Sequence, residues 1–184
     1  MKLHCTLRPL VLAILCFAPG LLLAEALTPA QQAKVDGKLA EIKAWAADPA
    51  IIKAVVAQNS SLPAACAAMT QEKWKGLSVL DPFVRSFCKN EAGLVLKSRK
   101  AAWVGEAFVS DAKGLKVAFT NKTSNWSHGA GAKHTQPMAG KSWQGTVELD
   151  ESSGLQQLQV SVPVLDGSVP VGSLVVGISL SKLD

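Results

Sequence analysis

The stretch VSVPVLDGSVPVGSLVVGISL, from Val160 to Leu180, constrains the fold more than any other part of this chain. Its apolar residues come in short runs, it carries almost no charge, and Asp166-Gly167 supplies a turn at its centre. It reads as a hairpin of two apolar strands. Strands of this kind need cover on both faces, so a second and a third layer must come from elsewhere in the chain.

The rest of the chain divides into two textures. Thr28-Pro29-Ala30-Gln31 is a helix start, with Thr as cap, Pro at the first helical position and Gln at the third. Val35, Leu39, Ile42 and Ala46 then recur at helical spacing. Asp48-Pro49, Thr70 and Asp81-Pro82 open further helices. After about Ala102 the pattern changes to short strands. GEAFVSD turns through Ala112-Lys113-Gly114 into LKVAFT, and GTVELDE turns through Ser152-Ser153-Gly154 into LQQLQVSVPVL. The expected fold is α+β: N-terminal helices over residues 28–100, packed on a five-stranded antiparallel sheet over 101–184.

Residues 1–26 read as a secretory signal peptide. Lys2 and Arg8 precede an apolar run, and Ala24-Glu25-Ala26 places small residues at a cleavage site. The run is short and broken by Pro19-Gly20, which argues against stable membrane insertion. The expected location is therefore periplasmic or secreted. From Leu27 onward 17 basic residues face 13 acidic ones, a balance of +4, and the cations are scattered. That pattern suits a solvated surface and not a nucleic-acid face. Cys66 and Cys88 remain after cleavage. In an oxidising compartment they are most simply a disulfide, closing a loop of 22 residues worth about 3 kcal/mol, and the alternative is two buried free thiols.

AFVSDAKGLKVAFT together with VSVPVLDGSVPVGSLVVGISL resembles the extracytoplasmic single Cache (PAS-like, PDC) sensor domain, whose sheet ends in a V-P-V-x-D-G hairpin and a Gly-spaced last strand. The resemblance spans roughly Thr28 to Asp184. It implies a non-catalytic sensor of small extracellular molecules such as amino acids, organic acids or amines. No receptor or kinase region accompanies it here, so it also implies a separate signalling partner, such as a membrane-bound receptor or kinase. Members that sense amino acids carry an Asp late in the last strand; Gly177 stands there.

A long insert, Asn121 to Gln144, separates the second and third strands, and long inserts in compact domains tend to be functional. Trp126 and Trp143 can stack on a ligand or plug the insert onto the sheet. His128, Lys133, His134 and Lys141 are donors that suit an organic anion, and Thr123, Ser124 and Asn125 are neutral hydrogen-bonding residues. The expected ligand site lies between insert and sheet, nearest Trp126, His128, Lys133 and Trp143, with Thr123, Ser124 and His134 close by. No cofactor is expected. As an alternative, His128, His134 and Met138 fall within eleven residues and offer two imidazoles and a thioether to copper or haem. No pair of carboxylates and no nucleophile beside a base has catalytic spacing, so an enzyme is not expected.

Overall fold

The computed structural model describes residues 26–150 and 155–183. The leader expected at 1–26 falls outside them except for Ala26, as does the turn at Ser152-Ser153-Gly154.

The N-terminal half is helical, and its caps lie where short polar residues precede proline or an apolar run. Thr28 and Gln31 form a reciprocal capping box at the start of α1, Pro29–Ala46. Asp48 caps α2, Pro49–Ser60, by accepting from the Ala50 amide. Short helices α3, Ala64–Ala67, and α4, Gln71–Gly76, follow. Asp81 caps α5, Pro82–Lys89, and Asn90 caps α6, Glu91–Ser98. Each such cap stabilises its helix by about 1 kcal/mol.

The second half builds one antiparallel sheet. Its strands are β1 (Val104–Asp111), β2 (Lys116–Phe119), β3 (Trp143–Gln144), β4 (Glu148–Asp150), β5 (Leu155–Asp166) and β6 (Val169–Ser179). The order is β2-β1-β6-β5-β3, with β4 also on β5. Both tight hairpins turn on glycines in the left-handed region, Gly114 at φ 79° and Gly167 at φ 62°. The α+β class agrees with the sequence reading. The expected third strand is in two pieces, β3 and β4: residues 145–147 lie between them outside the strands, and Trp143 and Gln144 join the ladder ahead of them.

The helices cover both faces of the sheet. On the first face, Val35, Ile42 and Trp45 of α1, Ile51 and Val55 of α2 and Leu96 of α6 pack on Val109, Leu158, Val160, Val162, Leu174, Val176 and Ile178. On the second, Trp74 of α4 and Phe87 of α5 pack with Phe108, Phe119, Val175 and Trp126. The second core is an aromatic cluster, with Trp74 and Trp126 centroids 5.1 Å apart and Phe87 stacked on Phe119 at 5.4 Å.

The disulfide expectation is corrected. Cys66 and Cys88 are both free thiols. Cys66 is buried in the aromatic core, while the Cys88 thiol is directed at the Thr120 carbonyl oxygen, 3.7 Å away, at the end of β2.

The insert is not a bare loop. It contains helix α7, Ala132–Met138, which packs across β5 and β6. Its first part is tied to the β1–β2 turn: the His128 amide donates to the Gly114 carbonyl oxygen at 2.9 Å, and Ser127 bridges Leu115.

Candidate functional site

Strand register arranges the second face of the sheet in rows. Lys116, Ser110, Ser173 and Pro163 lie across neighbouring strands in one row. Phe119, Phe108, Val175 and Ser161 form the next. Glu106, Gly177 and Gln159 form the third. Neighbours within a row have Cβ atoms about 5 Å apart, so the three rows make one small patch. Helix α7 and His128 cover it.

Lys116 reaches this face because of a fault in the ladder. Phe108 pairs Phe119 and Val109 pairs Ala118, but Ser110 pairs Lys116 and leaves Val117 extra. Val117 and Ala118 both point into the first core, and Lys116 is thereby turned to the second face. A bulge of this kind re-aims a side chain. Lys116 is fully buried, and its ammonium lies 4.2 Å from the centre of the Phe108 ring. His128 stacks on the same ring with centroids 4.9 Å apart.

Four buried polar atoms here have no hydrogen-bond partner among the described residues: Ser110 Oγ, Lys116 Nζ, His128 Nε2 and Ser161 Oγ. Such atoms are expensive, each costing about 1–3 kcal/mol when left unpaired and more when charged. All four belong to the covered patch. Burial, with Lys133 alongside, pulls the Lys116 amine down to about 7, although Glu106 and Asp111 act the other way. Burial also pushes the His128 imidazole down to about 3, helped by Lys116 and Lys133, so the ring is neutral.

The nearby carboxylates already accept hydrogen bonds, Asp111 on both oxygens and Glu106 on one. Asp111 Oδ1 accepts from the Lys113 and Leu115 amides, and its Oδ2 accepts from Gln58. Glu106 accepts from Gln159, whose carbonyl oxygen accepts from Lys133 at 2.6 Å. Gly177 leaves room for Glu106: a Cβ there would sit 2.8 Å from Glu106 Cγ. The patch therefore offers one unpaired cation, a neutral imidazole and two hydroxyls. That set can receive a small anion with further oxygen atoms.

The structure gathers some of the sequence-derived residues and disperses others. His128, His134 and Lys133 stand over the patch. His134 is buried and spends both nitrogens, Nε2 donating to the Ala112 carbonyl oxygen at 3.3 Å and Nδ1 accepting from the Ser173 hydroxyl at 2.8 Å. Burial lowers its pKa as well. Trp143 lies at the patch edge, in register with Ser161, its ring running over Gly145.

Trp126, Thr123 and Ser124 lie elsewhere. Trp126 is a core residue, wedged among Trp74, Phe83 and Phe87. The Thr123 carbonyl oxygen accepts from Trp74 Nε1 at 2.7 Å, and that of Ser124 accepts from Gln71. These three residues pin the insert to α4. Lys141 and Asn125 are exposed. His128, His134 and Met138 do not form a metal set, because His134 has no nitrogen left to give; no group of three His, Cys, Asp or Glu side chains suits a metal among the described residues. Sequence reasoning missed Lys116, Ser110 and Ser161. The available signal was polar residues standing inside otherwise apolar strands.

A separate cavity of about 520 Å³ lies between the α1–α2 corner and the β5–β6 turn, lined by Lys43, Ala46, Ile52, Pro163 and Leu165 among others. None of the four unpartnered atoms lines it.

No family model and no curated protein matches the chain. Solved structures similar to it are ligand-binding domains of chemoreceptors and the sensor domain of a histidine kinase. The ligand-binding domain of the Pseudomonas aeruginosa PAO1 amino acid chemoreceptor PctC, in complex with GABA, is 13% identical at a TM-score of 0.47, over 83% of this chain and 56% of that one. The sensor domain of the V. cholerae histidine kinase DctB is 13% identical at a TM-score of 0.37, over 84% and 59%. The ligand-binding domain of the Pseudomonas fluorescens chemoreceptor CtaA, in complex with L-alanine, is 15% identical at a TM-score of 0.41, over 84% and 57%. This chain thus spans less than two thirds of each of these domains.

Proposed function

We infer that this chain is a non-catalytic small-molecule-binding module whose ligand is a small organic anion held against the second face of the sheet. One observation carries the reading: a buried, unpartnered Lys116 ammonium shares one covered patch with three further unpartnered polar atoms. An anion at Lys116 would supply the missing countercharge, and the Ser110 and Ser161 hydroxyls and the His128 ring would complete its hydrogen bonds. Lys133, His134 and Trp143 frame the site. The charge that the sequence assigned to Lys133 comes instead from Lys116, because the Lys133 ammonium is already bonded to Gln159. Glu106 and Asp111 already accept hydrogen bonds, and the charge in the patch without a partner is the Lys116 cation, which favours hydroxy or keto acids. The chain would act outside the cytoplasm after loss of its leader, and pass its state to a membrane-bound receptor or kinase.

The test is a thermal-shift screen of small carboxylates against amino acids, amines and divalent metals. Binding stabilises by mass action, about 2.7 kcal/mol at a hundredfold excess over Kd. A carboxylate that raises the midpoint of wild type but not of Lys116→Met supports the reading. Equal shifts in both proteins, or a shift with metals alone, would overturn it.

A further inference from the structure

Outside the patch, the surface over α5 and α6 gathers five basic side chains. A groove of about 560 Å³ is lined by Arg85, Lys89, Lys97, Lys100 and Lys122, with Val79 at its rim. A second depression adjoins it, sharing Arg85 and Lys89 and lined by Leu80 and Pro82. No carboxylate lines either one among the described residues. None of the five cations is in an ion pair among those residues: the pairs are Lys38–Glu41, Lys53–Glu91 and Arg99–Asp48. Asp81 lies close in sequence, but its carboxylate caps α5 through the Phe83 amide. The other basic residues of the chain are scattered, so this concentration is a local feature.

The apolar rim is the second observation. Val79 is 64% exposed and Leu80 72%, and they are adjacent at the tip of the α4–α5 connection. Two neighbouring aliphatic side chains held in water beside Arg85, Lys89, Lys97 and Lys100, with the Lys122 ammonium 4.9 Å from the Trp74 ring centre, match an anionic lipid surface. The cations approach the phosphates while the aliphatic pair enters the boundary between headgroups and acyl chains. An acidic protein segment would use the cations but has less need of the exposed pair.

We propose that the Arg85–Lys89–Lys97–Lys100–Lys122 groove, with Val79 and Leu80 at its edge, docks this protein on a membrane rich in anionic phospholipid. The contact is peripheral and meets the ligand patch at Phe119, which lines the groove from beneath, so the module sits on the membrane that would carry its partner.

The test is co-sedimentation with phosphatidylcholine vesicles, with and without phosphatidylglycerol. Wild type and variants share the same N-terminus, so any contribution of the leader cancels. Wild type should sediment only with the anionic vesicles and be released at high salt, where the screening length falls to about 3 Å. Arg85→Gln/Lys89→Gln/Lys97→Gln should weaken partitioning on the order of a hundredfold, at roughly fivefold per cation. Val79→Ser/Leu80→Ser should weaken it several-fold with all charges kept. These side chains are exposed, so the melting midpoints should stay close to wild type; Lys97→Glu serves as a second, single-site variant. Failure of wild type to sediment, or equal sedimentation of all variants, would overturn the proposal. So would tighter binding to polyglutamate than to vesicles with no effect of Val79→Ser/Leu80→Ser, since the groove would then serve an acidic protein.

Discussion

The Lys116 ammonium lies 4.2 Å from the centre of the Phe108 ring and has no hydrogen-bond acceptor among the described residues. The ring face offers a desolvated cation about 2 kcal/mol, which offsets only part of what it loses on leaving water. A cation held in this way is a cost to the fold, and an anion can relieve it.

Replacing Lys116 with Met should therefore stabilise the ligand-free protein. Methionine keeps most of the volume and removes the buried unpaired charge, a gain of about 1–3 kcal/mol, or several degrees in melting midpoint for a chain of this size. The same variant should lose anion binding. Calorimetric melts with and without a carboxylate check both halves; a destabilised Lys116→Met would mean that the ammonium has a partner after all.

Binding of a carboxylate should weaken as pH rises. The free Lys116 amine titrates at about 7, so above that value a proton must be taken up for the charged pair to form. Affinity should fall by up to about tenfold per pH unit there, and level off below it. Isothermal titration in buffers of different ionisation enthalpy would show the proton uptake. An affinity flat from pH 6 to 9 would mean that the amine is not held near 7; loss of binding in Lys116→Met is what identifies the countercharge.

Acid should destabilise the fold earlier than carboxylate titration alone predicts. His128 is held neutral with a pKa of about 3, and burial lowers that of His134 also. Below the ordinary histidine value near 6.5 the unfolded chain takes up protons that the folded chain does not. The stability that these rings lend is complete above that pH and is lost progressively beneath it. Urea midpoints should fall between pH 6.5 and 5, and His128→Phe should flatten that fall.

Trp126→Ala should cripple the fold and leave no soluble variant with a clean binding defect. The ring is 4% exposed and touches Trp74, Phe83 and Phe87, so its removal opens a cavity costing about 3–5 kcal/mol. A melt of Trp126→Ala that overlays wild type would return this tryptophan to the list of ligand residues.

Thiol titration of the chain from Leu27 onward should find both of its cysteines, Cys66 and Cys88, free. Burial raises the pKa of both, so they should react slowly in the native protein and fully in denaturant. An intact mass two hydrogens lower, under non-reducing conditions, would restore the disulfide.

Much of the fold is written in local chemistry that a reader of the sequence can recognise. Thr28, Asp48, Thr70 and Asp81 are caps followed by proline or by a polar first turn, and Gly114 and Gly167 are turns flanked by apolar strands. Helix α7 escaped because AKHTQPM has no apolar period, contains Pro137 and has no side-chain cap at Gly131. The site was half legible. The donors of the insert are conspicuous against its small residues, and His128 and Lys133 do stand over the sheet. Lys116 was not legible, since plain alternation along LKVAFT puts Lys116 and Phe119 on opposite faces and only the bulge brings them together. The role of Trp126 was undecidable for another reason: an aromatic residue that packs and one that binds look alike until its neighbours are known.

The bulge has a mechanical consequence. The four residues of β2 carry Lys116 on one side, and through their carbonyl oxygens they hold the helices of the other side. Gln58 of α2 donates to the Lys116 oxygen at 3.1 Å, and Asn90, the cap of α6, donates to the Val117 oxygen at 2.8 Å. A guest that draws the Lys116 side chain toward itself pulls on the strand to which both helices are fastened. The short edge strand is thus a lever with its load arm in one layer and its handle in the other, and occupancy on the ligand side can be felt as displacement at α2 and α6 without anything crossing the sheet.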